Sequence, residues 1–185
     1  MPQKSPASFA EAAKISLMMI GVLFVVMGAG VVLRLPVQRW GVLPRTPVGL
    51  LGIVLSPLLH ANLSHLLANA IPLFVLLVLL LSNGEYRPCQ TLALIWGASG
   101  LGTWLIGRGH AIHLGASSIV FGLAAFLIVA GFRLKSWRSA LVAILVFFLY
   151  GGIFYGVLPQ SGPISWEGHL CGAVAGVWAA SRTTA

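Results

Sequence analysis

The sequence predicts an all-α, polytopic membrane protein: six transmembrane helices in one bundle with a long first extramembrane loop, residues 1–185 forming a single membrane domain. Three observations lead there. Of 185 residues, 58% are apolar and only 8% are charged, with a mean hydropathy of +0.98. Soluble domains carry about 25% charged residues, so this chain cannot cover a water-facing surface. The apolar residues also gather into six runs, and the length accommodates about six spans of roughly 20 residues.

In chain order, the predicted helices cover 14–33, 64–81, 90–107, 115–132, 139–157 and 167–181. Lys4 and Lys14 precede the first run. Its apolar core is about 19 residues long and no A-x-A site follows, which predicts a retained span rather than a cleaved leader. The connection from 34 to 59 holds Pro36, Pro44, Pro47, Pro57, Trp40 and the half-apolar "VGLLGIVLS". It reads as an interfacial or partly inserted loop with short helical pieces. Asn62 has the side chain and position of an N-cap for the second helix. The sixth helix is short and must lean on its neighbours.

With the N-terminus cytoplasmic, the inner side holds Lys4, Lys14, Arg87, Arg133, Lys135, Arg138 and Arg182, against Arg34, Arg39, Arg45 and Arg108 outside. That bias favours both termini inside. The net charge of +8 is scattered among span ends. It suits anionic headgroups of the lipid bilayer rather than nucleic acid, which calls for clustered basic residues. Cys89 and Cys171 lack metal-type spacing and fall on opposite membrane sides. There is no Asp, and the carboxylates are Glu11, Glu85 and Glu167.

Polar residues in apolar helices are costly unless they are paired or functional. In this topology the second, fourth and sixth helices enter from the outside, each with unusual polar residues in its first turns. The second carries His65 and Asn69, four apart and about 40° around the helix, so they point the same way. The fourth carries Ser117 and Ser118, and the sixth carries His169. Gly168, Gly172 and Gly176 form a small-residue stripe that lets helices approach closely in lipid. Such an approach brings a serine hydroxyl within reach of an imidazole, the relation of an activated nucleophile to its base. Helix geometry alone does not choose between the two serines. Glu167 lies roughly 200° from His169 around the helix, which favours a Ser–His dyad without a carboxylate. Asn69, His65 and the Ser117 backbone N–H are candidate oxyanion donors. Each position also has a plain structural role available, since serine bonds its own helix and His60, His65 and Asn69 tie a loop to the bundle. Their co-occurrence at one level is what argues for chemistry.

At these residues the chain resembles the rhomboid family of intramembrane serine proteases, in its basic six-helix form. "HANLSHLLAN" is similar to the family's H-x-x-x-x-H-x-x-x-N, "GASSIVFG" resembles G-x-S-G, and "GHLCGAVAG" resembles H-x-x-G-x-x-x-G. The resemblance covers about residues 12–181. It implies a Ser117 nucleophile, a His169 base, and His65, Asn69 and Gly115 at the oxyanion site with His60 in support. It places an aromatic ring, Phe121, against the catalytic imidazole. It further implies transmembrane protein substrates, no cofactor, and a prokaryotic inner membrane with the site open to the outside. Ser118 departs from the motif's second glycine, and Arg39–Trp40 reverses the tryptophan–arginine pair of some members. Two other readings are a catalytically silent rhomboid-like binder of transmembrane clients, and a metal site or transporter using His60, His65, His110, His113 and His169. The scarcity of acids and the lack of an HExxH pattern weigh against the latter.

Overall fold

The computed structural model describes residues 7–162 and 164–183, so Lys4 lies outside the described residues. Those residues build seven α-helices: α1 (Phe9–Val32), α2 (Pro47–Leu55), α3 (Leu63–Leu81), α4 (Pro88–Ile106), α5 (Ser117–Arg133), α6 (Trp137–Tyr150) and α7 (Trp166–Thr183). No strand occurs among them. By length and composition, Phe9–Val32, Leu63–Leu81 and Gly84–Ile106 are each long and apolar enough to cross a membrane, while Ser117–Arg133 and Trp137–Tyr150 are shorter apolar helices. These helices make the chain a multi-pass integral membrane protein.

Local chemistry explains where the helices begin. Helix α1 starts five residues before the predicted 14 because Ser8 and Glu11 form a capping box: Glu11 N–H donates to Ser8 Oγ (3.3 Å) and Ser8 N–H to Glu11 Oε2 (2.8 Å). The apolar run carries no trace of that cap. Pro47 and Pro88 open α2 and α4 at a position where the missing N–H has no intrahelical partner. Asn62 caps α3 as predicted, its Oδ1 accepting from His65 N–H at 2.8 Å.

Helix α5 is the hub. Every residue from Ile119 to Leu127 is buried, and α3, α4, α6 and α7 pack around it. Between lipid-immersed helices the hydrophobic effect supplies little, and close van der Waals packing must hold them together. The α5–α7 seam shows how. A Cβ on Gly172 would collide with the Ser118 carbonyl, and one on Gly176 with the Gly122 carbonyl, so only glycine lets the two backbones touch. Gly168 departs from the predicted stripe. It faces Ser165 and Thr103 rather than α5, because the helix has only begun there.

The long connection is folded against the C-terminal half of α4. Val42 and His113 exchange both backbone hydrogen bonds (2.8 and 2.9 Å) in an antiparallel bridge. Trp104 Nε1 donates to the Thr46 carbonyl (2.8 Å), Trp96 Nε1 to Ile53 (3.1 Å), and Arg45 Nη1 to Leu105 and Gly107 (3.0 and 2.8 Å). Segment five, predicted as one helix to 157, instead divides. After Tyr150 the chain tightens into a 3₁₀ stretch over Gly151–Val157, where Gly151, Gly152 and Gly156 weaken the α-helix. Both cysteines are free, Cys89 exposed and Cys171 buried.

Candidate active site

The site assembles at the N-terminal ends of α3, α5 and α7. Gly115 has φ +111°, in the left-handed region that glycine reaches without strain, and it turns the chain into α5. A Cβ there would come within 2.7 Å of the His65 ring and 3.5 Å of Asn69 Nδ2. The missing side chain is thus what lets the start of α5 lie against α3. Gly115 N–H donates to the Ser56 carbonyl at 2.9 Å. Ala116 N–H donates to His60 Nε2 at 3.3 Å.

That bond explains His60. The ring is 3% exposed and meets His65 edge-on at 5.1 Å between centroids. Burial, and secondarily His65, push its pKa down to about 4, so the ring is neutral and its Nε2 is free to accept. His60 therefore braces the residue before Ser117 and does not line the cavity beside Ser117 and His169.

Ser117 is the first residue of α5, and its Oγ lies 3.0 Å from His169 Nε2. The other ring nitrogen, Nδ1, lies 3.1 Å from the Gly156 carbonyl. A carbonyl only accepts, so Nδ1 carries the proton and Nε2 accepts from the serine. Phe121, one turn below, stacks on the His169 ring at 4.1 Å and 10°. Ser118 makes no such contact, and its backbone is the surface on which Gly172 rests. The structure separates the two serines that helix geometry left equivalent.

A cavity of about 480 Å³ reaches this pair, lined by His65, Asn69, Pro72, Ser117, Phe121 and His169 among others. Asn69 is 6% exposed, and its Nδ2 has no acceptor among the described residues. An unpaired buried donor at the wall of a cavity costs free energy unless something arrives to accept from it. His110 is exposed and His113 bonds Ser165 Oγ at 2.5 Å, and among the described residues no three His, Cys, Asp or Glu side chains converge as a metal site would need.

A model of the rhomboid domain matches residues 47–184. The chain belongs to the rhomboid family. An uncharacterized protein of Mycobacterium tuberculosis is 47% identical to this rhomboid over 148 residues, 76% of this chain and 62% of the relative. One from Mycobacterium leprae is 44% identical over 138 residues, 70% of this chain and 54% of the relative. A protein of Acanthamoeba polyphaga mimivirus whose name includes the word rhomboid is 32% identical over 127 residues, 63% of this chain and 66% of the relative. This rhomboid thus spans 62% or less of the mycobacterial proteins it matches.

Three features of the site escaped sequence reasoning. The Gly156 carbonyl is a backbone group, and its availability depends on the 3₁₀ stretch; the glycines at 151, 152 and 156 were the only signal. The His113–Ser165 bond joins two connections with no shared periodicity. Arg108 and Glu167 form an ion pair at 2.7 Å that no spacing rule anticipates across fifty-nine positions of chain (167 − 108 = 59).

Proposed function

We propose that this rhomboid is an intramembrane serine endopeptidase that hydrolyses peptide bonds in or near transmembrane segments through the Ser117–His169 dyad. The observation that carries the reading is the 3.0 Å Ser117 Oγ–His169 Nε2 contact, with Nδ1 anchored on Gly156, at the wall of an accessible cavity. Family membership adds to it, since rhomboids are usually proteases of this kind.

In the mechanism, Oγ attacks the scissile carbonyl while His169 Nε2 takes the hydroxyl proton. The imidazolium that forms keeps its Nδ1–H on the Gly156 carbonyl, which does the orienting that a carboxylate does in a triad. The oxyanion is met by Asn69 Nδ2, whose hydrogens are otherwise idle, by the Ser117 N–H at the start of α5, and by the His65 edge. Nε2–H then protonates the departing amine, leaving an acyl-Ser117. A water deprotonated by Nε2 attacks that ester and frees the serine. Only residues of this chain and water take part. The six helices α1 and α3 to α7 cross the membrane with both termini cytoplasmic. The site then opens outward, where water is available, in a prokaryotic inner membrane.

The test is cleavage of a model transmembrane substrate by protein reconstituted in liposomes, with the cut mapped. Wild type and Ser118→Ala should cut and Ser117→Ala should not. If the wild type cuts nothing, and a serine-reactive probe fails to label Ser117, the protein is a silent binder of transmembrane clients.

A further inference from the structure

We propose that Arg108 and Glu167 are positioning residues that fix the height of His169 against Ser117; this rests on the protease reading above. Both arms of the dyad hang from one short connection. Residues 107–116, between α4 and α5, lead directly into Ser117. The same connection also grips the chain that leads into His169.

Arg108 provides most of that grip. Its Nη1 donates to the Gly162 carbonyl (3.3 Å), its Nη2 to the Ile164 carbonyl (2.6 Å), and its Nε lies 2.7 Å from Glu167 Oε1. Three nitrogens of one planar group thus hold three points within residues 162–167. Five residues further along the connection, His113 Nδ1 bonds Ser165 Oγ at 2.5 Å. Ser165 in turn caps α7: its Oγ accepts from Gly168 N–H (3.3 Å) and its carbonyl from His169 N–H (3.1 Å). The first turn of α7 is therefore referenced to the segment that delivers the nucleophile.

The Glu167 side chain is 2% exposed, against 27% for Arg108. The Nε–Oε1 approach is too oblique for a hydrogen bond, and Glu167 Oε2 has no donor among the described residues. A buried pair of this kind adds little net stability, because desolvation offsets the attraction. Its value lies in direction, since a buried carboxylate tolerates one cation in one place. A lysine ammonium carries the same charge but not the fork that spans two carbonyls and a carboxylate. If the pair served only to neutralise Glu167, lysine would suffice.

The experiment compares wild type, Arg108→Lys, Glu167→Gln and the double variant in liposomes, with kcat and KM measured separately below the melting temperature. In parallel, the His169 ring resonances of histidine-labelled protein are followed in detergent, assigned by their loss in His169→Ala. Arg108→Lys should lower kcat about 10- to 100-fold with KM within about twofold, the scale of a displaced reacting group. It should also displace the His169 resonances and leave those of His110 in place. The double variant should be no worse than about twofold below the weaker single, as expected when both act through one contact. A wild-type kcat and unmoved His169 resonances in Arg108→Lys would overturn the proposal. So would a loss confined to KM. If wild-type cleavage proves independent of Ser117, the protease reading fails by itself. The His169 resonances then decide the clasp alone, displaced in its favour or unmoved against it.

Discussion

Helices α7 and α6 both pack on α5, yet they leave different faces open. At the α5–α7 seam, glycine lets backbone rest on backbone, and the Ser117–His169 contact sits at the N-terminal ends of both helices. Helix α6 meets α5 where Gly131 faces Ala143 and Ser139, but leaves Phe147, Phe148 and Leu149 exposed and scarcely touches α3. The cavity leading to the dyad is lined from α3, α5, α7 and their connections, with no residue of α6. The α7 side of α5 thus holds both the Ser117–His169 contact and the cavity that reaches it, and the α6 side lines neither.

The most severe way to break this comparison is at the seam. Ser117→Ala should lower the cleavage rate by about 10⁴-fold or more, whereas Ser118→Ala should stay within about tenfold of wild type. The reverse result would mean that the seam aligns the other serine. At the cavity wall, Asn69→Ala should cost about 10² to 10³ in kcat, the scale for a lost oxyanion donor, with an unchanged helical circular dichroism spectrum. A change in KM alone would make Asn69 a binding residue instead.

Packing offers a smaller and more direct contrast. Gly176→Ala drives a methyl into the Gly122 carbonyl and should destabilise the protein by about 1–3 kcal/mol, the usual cost of overpacking. Phe148→Ala, on the exposed face of α6, should change thermal stability by no more than about 0.5 kcal/mol. Equal losses would erase the difference between the two sides. The smallest effect is a pH dependence. His60 has its pKa lowered from 6.5 to about 4 in the folded protein, so between these values the unfolded chain binds more protons. Stability should therefore be level above about pH 6.5 and decline as the pH falls toward 4. His60→Gln, which keeps an acceptor for Ala116 N–H but does not titrate, should flatten that slope in a melting series.

Some of this was legible in the sequence for plain reasons. Apolar runs locate helices because lipid demands them, and Asn62, His65, Asn69, Ser117 and His169 were conspicuous because polar groups are rare in such runs. What remained hidden depends on tertiary neighbours. How α7 lies on α5, not either serine's position on its own helix, is what brings Ser117 rather than Ser118 to His169. Gly115 matters through a positive φ that no spacing reveals. The division of segment five follows from competition between apolar length and glycine content, and it alone frees the Gly156 carbonyl. Arg108 and Glu167 looked like opposite-sign residues on separate segments, and only folding joined them.

The stapled connection has a consequence for the order in which the chain is built. Its partners are Trp96, Trp104, His113 and the Gly115 N–H, each made some forty to seventy residues after the residue it binds. A ribosome must therefore deliver α3 and α4 before these tethers of residues 42–56 can form. During that interval α2, with Val48, Leu51 and Val54 outward, lacks α4, the helix it packs on in the folded chain. Assembly of this connection thus waits on the synthesis of α4 and of residues 113–115.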